Sequence, residues 1–334
     1  MKKISVYSNQ DVFNFYAEMP FNFHADSTAA AEHIKKSNII KDTYTVLSPY
    51  IAKKSNVSLI DIGCGAGVIA NNIAYHCNIE VLGIDFNPVA IERAREVSSL
   101  LGNRNSSFRA ADLFDFYPEK PFDIALSLGV LHHTMDCLRA LRHVLKNMVR
   151  HGGFAFIGLY HKFGREPFIE HFQALKRQQF SEQALYEEYR RLNKSITDEP
   201  FLKSWFRDQV LHPHESLHTL EEIILILDEC GCRLVSTSIN KFRSFSSPEY
   251  LIKEEKKYTA ISKEKLQEGL YFPGFFIFLP RNCLNRVPTN CKIIIPWRKR
   301  CTGGARKGKH VHNSLYYITY YSGCLFLCLY KKEK

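Results

Sequence analysis

Asp61-Ile62-Gly63-Cys64-Gly65-Ala66-Gly67 follows the apolar run 57–60 and opens a helical pattern. Glycines there let the backbone turn sharply and approach a ligand without Cβ atoms in the way. A dinucleotide fingerprint wants its third glycine at position 68, where this chain has Val68. The acid at the strand end, Asp61, suits a cationic amine. Asp85 ends the next apolar run, 22 residues past Gly63, where a carboxylate can accept both hydroxyls of a ribose.

A second set of residues offers proton chemistry. His132 and His133 end a later apolar run, at the edge where open α/β sheets bind ligands. Imidazole is the natural base near neutral pH. Tyr160, His161 and Arg165 follow the next run at the same edge, and Arg165 would suit a carboxylate or phosphate. Between Trp205 and His218 lies a dense polar cluster with Asp208, His212, His214 and Glu215. Its spacing is not His-Glu-x-x-His and Pro213 interrupts any helical face, so the cluster reads as a substrate lid without metal. Near the start, Phe15-Tyr16 through Asn22-Phe23-His24 supplies an aromatic segment suited to cover such a site.

The elements that position these groups alternate in period. Strands are predicted near 57–62, 80–84, 106–110, 122–128 and 153–159, and helices near 67–76, 88–100 and 135–149. This alternation is the signature of a mainly parallel sheet. Residues 161–210 read as a charged helical insertion, 219–229 as a packed helix, 233–239 as a strand, and 271–279 as holding the last strand. The expected divisions are an arm at 1–50, a core at 51–160, a cap at 161–218, the end of the fold at 219–280 and a tail at 281–334.

Over residues 57–160 the chain resembles the class I methyltransferases, which use S-adenosylmethionine. The resemblance implies a Rossmann-like, seven-stranded, mostly parallel α/β sheet with an antiparallel last strand and a helical cap insertion. It implies that Asp61, Gly63, Cys64, Gly65 and Gly67 surround the methionine part, and that Asp85, with Phe86 beside it, holds the ribose. Asp112 would bond the adenine amine with Leu113 along the ring, and Gly129 would lie in the loop lining the reacting methyl. The three segments around Asn22, Tyr160 and Asp208 together look like one subgroup of that family. More distantly, the core is similar to the ubiquinone-pathway O-methyltransferases. Methyl transfer needs an acceptor atom held ~3–3.5 Å from the methyl and, for a hydroxyl, a base. His132, His133, His161, His212 and His214 are the candidate bases. Tyr16, Asn22, His24, Tyr160, Arg165, Trp205, Asp208 and Glu215 are candidate substrate contacts. The expected acceptor is an oxygen on a small or medium-sized molecule. An RNA or tRNA methyltransferase and a non-catalytic cofactor-binding module are the rival readings.

Composition bounds these readings. With 334 residues, 45% hydrophobic and 24% charged, the chain is an ordinary globular one. Its net charge of +11 lies entirely in residues 281–334, which hold 12 basic residues against Glu333. The first 280 residues hold 33 bases and 33 acids, which disfavours a nucleic-acid partner. No apolar leader opens the chain, and ten cysteines without a repeated framework point to a reducing, cytoplasmic setting. The basic tail ends in the aromatic run 315–330, a pattern suited to peripheral contact with an anionic membrane.

Overall fold

A computed structural model describes residues 10–18, 26–51 and 56–283. Asn22, His24 and the tail from residue 284 onward lie outside the described residues.

Among the described residues four helices, α1 (Gln10–Glu18), α2 (Ser27–Lys36), α3 (Ile39–Asp42) and α4 (Ser48–Ile51), precede the first strand. Strands and helices then alternate: β1 (Ser58–Ile62), α5 (Val68–Cys77), β2 (Glu80–Asp85), α6 (Pro88–Leu101), β3 (Ser106–Ala110), β4 (Phe122–Leu128), α7 (Cys137–His143) and β5 (Val149–Tyr160). α8 (Lys162–Arg177), α9 (Glu182–Leu192) and α10 (Glu199–Phe206) form the cap, which continues into a π-helical turn at Arg207–Leu211. The fold closes with α11 (Leu220–Glu229), β6 (Cys232–Thr237), α12 (Pro248–Glu255), α13 (Tyr258–Gln267) and β7 (Phe275–Asn282).

The seven strands lie in the order β3-β2-β1-β4-β5-β7-β6. β1 to β5 are parallel, and β7 runs antiparallel to both β5 and β6. The inner strands are nearly continuous apolar runs because helices cover both faces. Alternate residues divide between two cores. Leu59, Ile124, Phe156 and Ile277 pack toward α3, α4 and α5, whereas Ile60, Ala125, Ile157 and Phe278 pack toward α7 and α11. α6 starts where its caps dictate: Asn87 accepts the Val89 and Ala90 N–H groups, and Pro88 needs no donor.

Three differences from the sequence reading stand out. A π-helical turn at Val144–Met148 ends the α7 segment, so β5 begins at Val149 rather than near 153. Residues 248–267, where the sequence suggested no element, form α12 and α13, and α13 packs along α8. Trp205, expected at the substrate, is buried against Phe201 inside the cap's own apolar cluster. Among the described residues no helix is long and apolar enough to cross a membrane.

Candidate active site

The glycine loop leaves β1 and is tied to the neighbouring strand, since Gly63 and Cys64 both donate to the Ile84 carbonyl at 2.8 and 3.0 Å. Gly63 has φ +70°, and a Cβ there would sit 2.4 Å from Val130, so this loop and the loop after β4 pack directly together. Gly65 and Gly129 differ: a Cβ on either would meet nothing within 4 Å. Each thus has room on its Cβ side. Gly67 then caps α5, and the Ala70 N–H in the first turn of that helix donates to Asp61.

Two buried carboxyls, Asp61 near the end of β1 and Asp85 at the end of β2, stand beside this loop. Asp85 accepts from the Gly65 N–H at 2.9 Å and the Asn87 N–H at 2.8 Å, which holds the loop and the start of α6 in register. Burial raises its pKa against the pull of these bonds. Asp61 is pushed up to about 7, by burial first and then by Asp85. Its Oδ2 is buried without a hydrogen-bond partner among the described residues. Asp112 accepts from Phe114 N–H at 2.9 Å and starts the short turn that carries Leu113. Phe86 is half-buried beside Asp85.

At the carboxyl ends of β4 and β5 the histidines sort by the bonds they make. The backbone N–H of Tyr160 donates to His132 Nδ1 at 3.2 Å, so the His132 proton sits on Nε2, and its ring stacks on Tyr160 at 4.0 Å. His133 Nδ1 lies 2.9 Å from the His214 carbonyl, which only an N–H can satisfy; its Nε2 therefore keeps a lone pair. The His214 N–H donates to His212 Nδ1 at 3.1 Å, which leaves His212 protonated at Nε2. His214 in turn donates from Nε2 to the Thr134 carbonyl at 3.0 Å. Burial holds His132, His133 and His212 below the ordinary imidazole value, and so uncharged at neutral pH.

Asp208 lies beside this group. It accepts from Tyr16 Oη at 2.6 Å, from Gln209 Nε2 at 2.6 Å and from Tyr160 Oη at 3.4 Å. α1 is thereby drawn across the edge, and Asn87 Nδ2 anchors it further by donating to the Tyr16 carbonyl at 3.2 Å. The rings of His133 and His212 face each other at 3.8 Å, with Phe15 and Tyr16 against His212 at 5.1 and 5.5 Å. One ligand atom each from His133, Asp208 and His212 lies within 4.8 Å of the others. A metal needs lone pairs, and the hydrogen bonds leave His212 Nε2 carrying a proton.

Three of the residues singled out in the sequence, Arg165, Glu215 and His161, are engaged in buried pairs. Arg165 is wholly buried and makes four bonds, to Glu215 at 3.2 and 2.9 Å and to the side chain and carbonyl of Gln209 at 2.8 Å each. Its guanidinium lies between Tyr160 and Phe168, at 4.2 and 4.6 Å from their rings. It anchors the cap and offers no donor fork to a substrate anion. Glu215, placed among the substrate contacts, is its partner. His161 pairs with Glu255 at 3.0 Å, both fully buried, and Glu255 also accepts the Leu220 N–H at the start of α11. His161 and Glu255 thereby join β5, α11 and α12. Gln209 and Tyr271, which the sequence reading passed over, complete the site's polar network.

A family model described as a methyltransferase domain matches residues 53–270. The chain belongs to the class I S-adenosylmethionine-dependent methyltransferases. Among curated relatives, ajmaline N-methyltransferase of Rauvolfia serpentina is 25% identical over 134 residues, covering 38% of this chain and 46% of its own. The tRNA U34 carboxymethyltransferase of Shewanella pealeana is 28% identical over 106 residues, covering 31% of this chain and 32% of its own. The chain thus spans less than half the length of these relatives. PKMT2 from Rickettsia typhi, solved in complex with AdoHcy, superposes with a TM-score of 0.50 at 16% identity, over 72% of this chain and 51% of that one, which shows the shared fold. The methyltransferase loop fits its family's methyl donor on a specific observation. Asp61 is a buried acid with an orphan oxygen beside a second acid, and a cationic amine would relieve both.

Proposed function

We propose that this methyltransferase methylates a hydroxyl oxygen of a small or medium-sized molecule, with His133 as the base. Asp61 and the glycine loop would hold the methionine part of S-adenosylmethionine, Asp85 and Phe86 the ribose, and Asp112 and Leu113 the adenine. When bound, S-adenosylmethionine supplies a methyl group on a sulfonium centre that is open to in-line displacement.

The observation that carries the reading is the His133–His214 bond at 2.9 Å. It fixes the tautomer, orients the ring and leaves a lone pair at Nε2 to take a hydroxyl proton. The neighbouring Asp208 favours the imidazolium that forms. Tyr16, on α1, covers this edge and keeps water from it. Gly129 and Val130 bring His133 to the same side of the sheet as the glycine loop, since Val130 packs on Gly63. A small-molecule acceptor is favoured over RNA by the first 280 residues, whose 33 bases and 33 acids cancel.

Incubating the full chain with isotopically labelled S-adenosylmethionine and a metabolite extract of the source cells tests the reading. A labelled small molecule should appear with the wild-type protein and be lost with Asp85→Ala. Label confined to RNA, or no label at all with the donor bound, would refute it.

A further inference from the structure

We infer that the acceptor carries a protonated amine that seats against Asp208, an inference that rests on the methyltransferase reading above.

The proton positions around Asp208 follow from the hydrogen bonds. Gln209 Oε1 accepts from Arg165 Nη1 at 2.8 Å and from Tyr271 Oη at 2.6 Å, so the amide is fixed with Nε2 facing the other way. Nε2 then donates to Tyr160 Oη at 2.7 Å and to Asp208 at 2.6 Å. The Tyr160 oxygen, already accepting, directs its own proton toward Asp208 Oδ2, and Tyr16 donates to Oδ1. A carboxyl that receives three donors and is matched to no acceptor is ionised. Asp208 is therefore an anion that is only 5% exposed.

That anion has no cation bonded to it among the described residues. Arg165 gives its charge to Glu215 through a two-pronged pair. His133 and His212 lie nearest and are held neutral by burial. A buried carboxylate supported only by neutral donors keeps its charge, and such a charge is costly unless something bound there uses it. Oδ1 has one recorded donor and a further lone pair to offer. The field of this carboxylate repels carboxylates and phosphates; the guanidinium of Arg165 is engaged by Glu215 and Gln209, and that of Arg207 lies over the Phe15 ring. A protonated amine answers each of these features.

The labelled products from the metabolite extract, separated by ion exchange, test the inference. With the wild-type full chain the labelled product should be retained on a cation exchanger at pH 7 and pass an anion exchanger. Asp208→Asn should lower labelling of that product by about 100-fold, well beyond any loss of S-adenosylmethionine affinity that calorimetry shows for the same variant or for Tyr16→Phe. Labelled products that are neutral or anionic would overturn the inference while leaving the methyltransferase reading intact. A stoichiometric transition metal retained on Asp208 after dialysis would overturn it too, because the ion would then be the missing cation. Failure of any product to carry label would sink both readings together. The product's charge is read on the wild-type protein, so a poorly folding Asp208→Asn variant does not spare the inference.

Discussion

Tyr16 donates its hydroxyl to Asp208 at 2.6 Å, joining two residues 192 positions apart. The bond links α1 to the π-helical turn at the end of the cap. Tyr16 also offers its carbonyl to Asn87, the residue that caps α6 just after Asp85. One residue thus ties the Asp208 side of the edge to the start of α6 beside Asp85.

Replacing Tyr16 with Phe removes that bond and keeps the ring. A hydrogen bond to a charged group contributes about 1.5–3 kcal/mol. Part of that should be lost from closure of α1, so affinity for S-adenosylmethionine should fall about tenfold. Calorimetry on the two proteins reads this directly, and equal affinities would mean that α1 does not close the site.

Asp61 ties donor binding to protons. Its carboxyl is raised to about 7 from the ordinary 3.8, so the folded chain binds this proton more tightly than the unfolded one. Its contribution to stability is full below 3.8 and is lost as pH rises through about 7. Pairing with a cationic amine should lower the value and expel the proton. Near pH 6.5, binding heats measured in buffers of different ionisation enthalpy should reveal proton release that Asp61→Asn abolishes. An unchanged release in the variant would assign the proton to another group.

Arg165 gives a prediction about stability rather than affinity. Breaking a buried ion pair costs about 3–5 kcal/mol, and Arg165→Gln leaves Glu215 without its partner. Denaturant unfolding should show a loss of that size, with Arg165→Lys intermediate because it lacks the planar fork. A variant with native stability and weaker acceptor binding would instead give Arg165 the substrate role that its position in the sequence suggested.

Acid should weaken the fold through the same histidines. His132 and His133 are held below the ordinary 6.5 by burial. The unfolded chain therefore takes up protons first as pH drops. The contribution to stability is full above 6.5 and is lost as pH falls through the lowered folded values. Thermal unfolding of the His132→Phe variant should show a shallower loss between pH 6.5 and 5 than the wild type. An identical slope would place the acid sensitivity elsewhere.

Much of this architecture was legible in the sequence because it is periodic and local. The run 57–62, the glycine loop, Asn87-Pro88 and the later apolar segments each carry their own signal, and the sheet follows from their alternation. What escaped the reading depends on pairing across the fold. Arg165 and Glu215 are 50 residues apart, and His161 and Glu255 are 94 apart. An arginine after a strand looks the same in sequence whether it faces solvent or closes a buried pair. α12 and α13 carry lysines and glutamates that blur any apolar period, and α13 has its packing surface only in α8, distant in sequence. Gln209 had no visible signal beyond its place next to Asp208.

The proposed role of His133 Nε2, taking the acceptor's proton, stands or falls on His133→Gln. General-base catalysis contributes about 100- to 10,000-fold in rate. In single-turnover assays with labelled S-adenosylmethionine and the purified acceptor, His133→Gln should lose a factor in that range. Affinity for S-adenosylmethionine should stay as in the wild type, and raising the pH should restore part of the rate. A variant that transfers the methyl group at the wild-type rate would contradict the account.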